Sequence, residues 1–309
     1  MGSDPIPPRS VARAVCSDGR CAAILSGSDL PIFWGVMTLW QELLRRAAVG
    51  AVALPIVGAL LWFGGAWSAV LFAAAAAVAA WEYYRMTALR DAEIRWVGVV
   101  AAAVLSALPW AGGERWPEMA LGVLGASSIV TWTALLAGGP RGDAPVRAGL
   151  LVSGIVYIAT GLVALAALRA RPAGLSWSAG VLISAWANDT GGFLGGKLVG
   201  RHRMLPAVSP GKTWEGLACG AVTGLGASLA AGYLLAGLTI GDGVAIGAIA
   251  AVAGPIGDLC KSMVKRAAGV KDAGKILFAH GGMLDRIDAI LFDAPAVLAY
   301  LAVSTALHG

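Results

Sequence analysis

The sequence predicts an all-α polytopic membrane protein of about nine transmembrane helices, with the N-terminus cytoplasmic and the C-terminus outside. Three observations carry this expectation. The 309 residues are 58% hydrophobic and only 13% charged, with a mean hydropathy of +0.75, a balance outside that of soluble globular chains. From residue 47 onward, apolar runs recur at close to the ~20 residues that cross a hydrocarbon core. Lys and Arg collect in alternate loops, as cytoplasmic orientation requires.

Taken in order, residues 1–36 hold prolines and scattered arginines but no sustained apolar run. They lack the core of a signal peptide and read as a disordered N-terminal extension. Met37 opens MTLWQELLRR, an amphipathic lead that reads as the natural start, and residues 37–309 form a single integral membrane catalytic domain. Spans are expected over 47–64, 66–81, 96–112, 118–138, 148–168, 176–196, 214–238, 243–260 and 289–307. The loops after the even spans contain Arg85, Arg90 and Arg95, then Arg141 and Arg147, then Lys197, Arg201, Arg203 and Lys212, then Lys261, Lys265, Arg266, Lys271, Lys275 and Arg286. Loops after the odd spans hold only Arg115, Arg169 and Arg171. The net charge of +5 is therefore a matter of orientation, and nucleic acid is excluded as a partner. Cys16, Cys21, Cys219 and Cys260 show no CxxC pair, so neither a disulfide framework nor a zinc site is expected.

Polar groups inside the apolar frame mark the chemistry. Span six reads SWSAGVLISAWANDTGGFLGGKLVG and carries Asn188, Asp189 and Thr190. A carboxylate at mid-bilayer costs roughly 2.5–3.5 kcal/mol on insertion scales, so it needs a partner or a task; the bland reading is a glycine-rich packing face with Asp189 at the interface. The following GRHRMLPAVSPGKTWEG sets a basic cluster before Ser209, Gly211, Lys212 and Thr213, which precede a helix N-terminus. Such a turn suits a phosphate, although the Walker spacing GxxxxGK[ST] is absent, and a basic loop ending in an N-cap at Thr213 would look the same.

The densest polar stretch is Gly257–Asp288, GDLCKSMVKRAAGVKDAGKILFAHGGMLDRID. On a helix Asp258, Ser262, Lys265 and Arg266 fall at i, i+4, i+7 and i+8 and share one face. Asp285 and Asp288, at i and i+3, share another. Charge runs usually end as solvated faces, but both signs are denser here than orientation needs. Sparse hard oxygen ligands among cations and glycines suit Mg²⁺ held by one or two carboxylates plus substrate phosphates. The three histidines, at 202, 280 and 308, are too scattered for zinc.

The run from Ser262 to Asp288, S-M-V-K-R, four residues, K-D-A-G, then H-G-G-M-L-D-R-I-D, resembles the signature of the phosphatidate cytidylyltransferases, or CDP-diacylglycerol synthases. The LLRRAAVGAVALPIVG entry, the WEYYRM end of span two, and DTGGFLGGKLVGRHR followed by SPGKTWEG are similar to the same family. Two positions depart from it: Phe278 stands where the family usually has proline, and Lys261 where a glutamate is common.

The resemblance implies Mg²⁺-dependent reaction of CTP with phosphatidic acid, giving CDP-diacylglycerol and pyrophosphate for phospholipid synthesis in a bacterial inner membrane, with the active site on the cytoplasmic side. Asp258 and Asp285 are expected to hold Mg²⁺, with Asp189 as a third ligand candidate, and a second, monovalent cation is left open. Lys265 and Arg266 join these three aspartates as catalytic candidates. Ser209, Lys212, Ser262, Lys271, His280, Gly281, Gly282, Arg286 and Asp288 are the substrate-binding candidates. Membrane lipid is a partner, and a homodimer is compatible with the sequence. Rival readings are a related CTP-dependent lipid-phosphate transferase, a lipid kinase, and, remotely, an anion transporter. The last should show inverted repeats with paired broken helices, and no repeat is visible.

Overall fold

The computed structural model describes residues 54–87, 92–139, 142–270, 273–274 and 282–308. The expected N-terminal extension, the Met37 start and the beginning of the first span lie outside these residues. Within them the chain is helical almost throughout: α1 (Leu54–Phe63), α2 (Gly65–Met86), α3 (Ala92–Ala111), α4 (Trp116–Ala137), α5 (Ala144–Arg169), α6 (Gly174–Leu198), α7 (Trp214–Leu234), α8 (Ile240–Ala267), the short α9 (Leu284–Ile287) and α10 (Ile290–His308). Among the described residues seven helical segments are long and apolar enough to cross a membrane, and α6 is not counted with them. Every expected span therefore has a helix, but seven is the number that length and apolarity support. The Asn, Asp, Thr and glycines of α6 lower its hydropathy.

Two elements depart from expectation. The segment after α6 folds into an antiparallel hairpin of β1 (Arg203–Leu205) and β2 (Ser209–Thr213), closed by the Arg203 guanidinium donating to the Pro210 carbonyl. Helix α8 runs two turns beyond the expected limit at 260, because its last turns carry paired charges instead of meeting water. Its start is set by a reciprocal cap: Thr239 Oγ1 accepts from Asp242 N (3.1 Å), and Thr239 N donates to the Asp242 carboxylate (2.8 Å), which satisfies two otherwise orphaned donors. The Tyr300 hydroxyl of α10 also donates to Asp242 (3.0 Å).

The helices associate as two groups bridged by α10. Helices α2, α3 and α5 form one, α6, α7 and α8 the other, and α10 packs on both α5 and α8. The first group interlocks large side chains: Phe72, Tyr84, Leu151, Ile155 and Leu162 are buried, and the Tyr84 hydroxyl donates to the Leu151 carbonyl (2.9 Å). The second is packed backbone on backbone, the usual means of helix association in lipid. A Cβ at Gly220 would lie 2.6 Å from Asn188 Oδ1, and one at Gly257 would lie 2.4 Å from the Asp288 carbonyl oxygen. Interhelical hydrogen bonds add to this contact, with Asn188 Nδ2 donating to the Ala250 carbonyl (2.8 Å) and Thr223 Oγ1 to the Ala187 carbonyl (3.0 Å).

Candidate functional site

The site forms where the C-terminal turns of α8 meet the start of α9 and α10, with the hairpin laid across them. The Gly257–Asp288 backbone approach sets the spacing, because only a residue without Cβ lets α10 come so near. That closeness brings carboxylates 27 and 30 residues apart in sequence onto one ammonium. Lys261 Nζ lies 3.0 Å from Asp258 Oδ1 and 3.3 Å from Asp285 Oδ1, and also donates to Asp288 Oδ2. The residue is 6% exposed.

Two further lysines flank this centre. Lys212 of β2 pairs with Asp258 Oδ2 (2.8 Å) and donates to the Pro255 carbonyl (3.2 Å). Lys265, one turn beyond Lys261, pairs with Asp285 Oδ1 (2.8 Å). Arg266 is exposed and its Nε donates to the Val208 carbonyl (3.2 Å), fastening the hairpin to α8. The phosphate-suited turn and the densest polar stretch thus meet, as their common place on the basic side of the sequence suggests. Three formal positive charges, Lys212, Lys261 and Lys265, balance Asp258, Asp285 and Asp288, and buried ion pairs need such complete pairing.

The other candidates fall as follows. Ser209 opens β2, and Ser262 lies half-buried on α8 between Asp258 and Lys265. Arg286 is exposed on α9. Gly282 is buried, and its N–H donates to Asp285 Oδ2 (3.2 Å). Asp288, expected as a substrate contact, is 4% exposed, and its Oδ1 accepts from Ala289 N (2.9 Å) while Oδ2 accepts from Lys261. It faces the cluster rather than an opening. Asp189 is exposed on α6, within electrostatic range of Asp288 and of Asp293 of α10. Lys271, His280 and Gly281 lie outside the described residues.

Three participants were not singled out from the sequence. In the sequence Lys261 reads as one basic loop residue among several and as a departure from the family pattern. Glu82 of α2 is 1% exposed and accepts from Met283 N (3.0 Å) and Leu284 N (2.9 Å), holding the start of α9. The signal for it was a lone carboxylate in the WEYYRM helix end. Asp293 is 1% exposed, and neither of its oxygens has a hydrogen-bond partner. It lies next to Asn188 across Gly254.

Whether these residues suit a protein-held Mg²⁺ is decided by their oxygens. All six carboxylate oxygens of Asp258, Asp285 and Asp288 already accept from ammonium groups or from the backbone N–H groups of Ala273, Gly282 and Ala289. Mg²⁺ demands near-octahedral oxygen at 2.0–2.1 Å, which would require expelling an ammonium. Among the described residues no group of three or more His, Cys, Asp and Glu could hold a metal ion. As arranged, the cluster does not fit a Mg²⁺ bound directly to Asp258 and Asp285.

A helical protein with several membrane-length apolar segments and a cluster of paired lysines and aspartates near their ends has the outline of a multi-pass membrane protein. The chain belongs to the cytidylyltransferase family, whose model matches residues 44–304. It is 30% identical over 252 residues to a phosphatidate cytidylyltransferase of Staphylococcus haemolyticus, covering 81% of this chain and 95% of that protein. It is 41% identical over 123 residues to a phosphatidate cytidylyltransferase of Mycobacterium tuberculosis, and 44% identical over 115 residues to the uncharacterized protein YnbB of Escherichia coli. These two alignments span only 38% and 39% of the relatives' lengths.

Proposed function

We propose that the chain transfers the cytidylyl group of CTP to phosphatidic acid, forming CDP-diacylglycerol and pyrophosphate. The observation that carries this is the seating of hairpin Lys212 on Asp258, which brings a phosphate-suited turn and the Lys261–Lys265 face of α8 together. Family membership supports the reaction class.

The lipid phosphate is already a nucleophile, so no general base is needed. One of its oxygens forms a bond to the α-phosphorus of CTP as the bond to the β-phosphate oxygen breaks, and pyrophosphate leaves with that electron pair. What the protein must supply is alignment and compensation for the crowding of negative charge. Lys212 and Lys265 stand at the rim of the cluster, each partly accessible, and can share their donors between an aspartate and a phosphate. Asp258 and Asp285 aim those ammonium groups. Arg266 holds the hairpin in register, and Ser209, Ser262 and Arg286 extend the donor surface beside it. Lys271, His280 and Gly281 belong to the same signature and complete the reading. CTP is taken as its magnesium complex, with the ion carried on the triphosphate.

On the nine-span reading, with the N-terminus inside and the C-terminus outside, this face lies in the cytoplasm, where CTP is, and the acyl chains stay in the bilayer; the collection of Lys and Arg in alternate loops supports it. The test is full-length protein in detergent micelles with CTP, Mg²⁺ and phosphatidic acid. Lipid-linked cytidine together with pyrophosphate is expected. Release of CDP with phosphorylated lipid would make the chain a lipid kinase, and absence of both products from monodisperse protein would end the proposal. Cysteine introduced at Ser209 should react with an impermeant maleimide only in inside-out vesicles.

A further inference from the structure

We propose that the Lys261 ammonium is the resident cation of this site, built into the chain where its three carboxylates would otherwise call for one from solution. The geometry is stoichiometric. An ammonium has three donors, and Lys261 Nζ faces three carboxylates, Asp258, Asp285 and Asp288, one oxygen each. Those carboxylates come from two separate helical segments and are pressed together by the Gly257–Asp288 backbone contact. At such separations like charges repel by several kcal/mol unless a cation lies between them. The cation present is covalently attached and 6% exposed, so it cannot be washed out or exchanged.

The lysine also shuts the centre to metal. It fills the volume between the carboxylates, and with Lys212 and Lys265 it brings the cluster's formal charge to zero. A neutral cluster with every oxygen engaged offers a divalent ion neither field nor open ligands. The catalytic consequence rests on the cytidylyl-transfer reading: the nucleotide then brings the sole divalent ion needed, and the rate follows Mg²⁺ only through formation of the CTP complex. The occupancy itself does not depend on that reading.

Mn²⁺ binding, read by electron paramagnetic resonance on the full chain in detergent without nucleotide, separates this from a purely structural ion cluster. The relevant signal is the binding abolished by D258N. Wild type and K261R are expected to show none, whereas K261Q should gain a single D258N-sensitive site, at least about tenfold tighter than anything in wild type. D258N-sensitive Mn²⁺ binding to wild type overturns the proposal, as does a monodisperse K261Q that gains no site. If K261Q does not stay monodisperse, the wild-type titration decides alone. In the activity arm, wild type should saturate once CTP is complexed, while K261Q should require Mg²⁺ well beyond that point. Failure of every variant to make lipid-linked cytidine, with the Mn²⁺ pattern intact, would reject the reaction and leave the cation assignment supported.

Discussion

The two helix groups solve the same packing problem by opposite means. In α2, α3 and α5 large side chains interlock, and buried polar groups are few, as in the Tyr84 hydroxyl on Leu151. In α6, α7 and α8 glycines let backbones touch, and the space saved is filled with paired charge at one end. Side-chain packing can relax around a change, because rotamers move. Backbone contact cannot, and it is this rigid half, with α10, that holds the charged cluster. Position of charge is thus fixed by the part of the molecule least able to yield.

The sharpest way to break this contrast is a pair of glycine substitutions. Gly257→Val drives a Cβ to 2.4 Å from the Asp288 carbonyl, whereas a Cβ at Gly149 on α5 meets nothing within 4 Å. Overpacking costs about 1–3 kcal/mol when side chains can adjust and more when backbone must move. Gly257→Val should abolish the monodisperse peak in size-exclusion chromatography, and Gly149→Val should leave it unchanged. Next in size is Asp285→Ala, which strands Lys265 and the N–H groups of Ala273 and Gly282 and takes one of three carboxylates from Lys261. Turnover of radiolabelled CTP into lipid should fall at least about a hundredfold, equivalent to about 3 kcal/mol, with expression retained. Substantial remaining turnover would remove Asp285 from the site.

Glu82→Ala tests the link between the two groups. It leaves the Met283 and Leu284 N–H groups without acceptors, at about 1–3 kcal/mol. Thermal unfolding in detergent should show a clear drop, with Glu82→Gln intermediate because one amide oxygen still accepts. Asp293→Leu should move the other way, raising the unfolding midpoint by an amount equivalent to about 1 kcal/mol, since it puts an apolar side chain in place of a buried carboxyl whose oxygens have no partner. The smallest effect belongs to Tyr84→Phe in the side-chain-packed half. Losing its bond to Leu151 should cost about 0.5–1.5 kcal/mol with no change in turnover.

Much of this architecture is legible in the sequence, and its limits are physical. Apolar length reveals helices because the bilayer requires each span to satisfy its own backbone, which is why all nine expected spans coincide with helices where they are described. The hairpin escaped notice because strands of three and five residues, Arg203–Leu205 and Ser209–Thr213, are too short to show alternation. Asp258, Asp285, Lys265 and Lys212 stand out in the sequence because charge is conspicuous in an apolar chain, and the structure brings their side chains together. Lys261 was equally visible, but its role was not: a cation's meaning depends on what surrounds it, and its three aspartates come from positions up to 27 residues away. Glu82 lay still further off, with nothing in its own helix to name its partner.

That distance has a consequence for how the protein is made. Glu82 is synthesised 201 and 202 residues before the two N–H groups it serves. During elongation its carboxyl waits in a nascent helix while α3 to α8 are threaded into the bilayer, and only the closing turns of the polypeptide relieve it. A chain released before these residues would retain most of its spans yet leave the Glu82 carboxyl without the two donors that hold it.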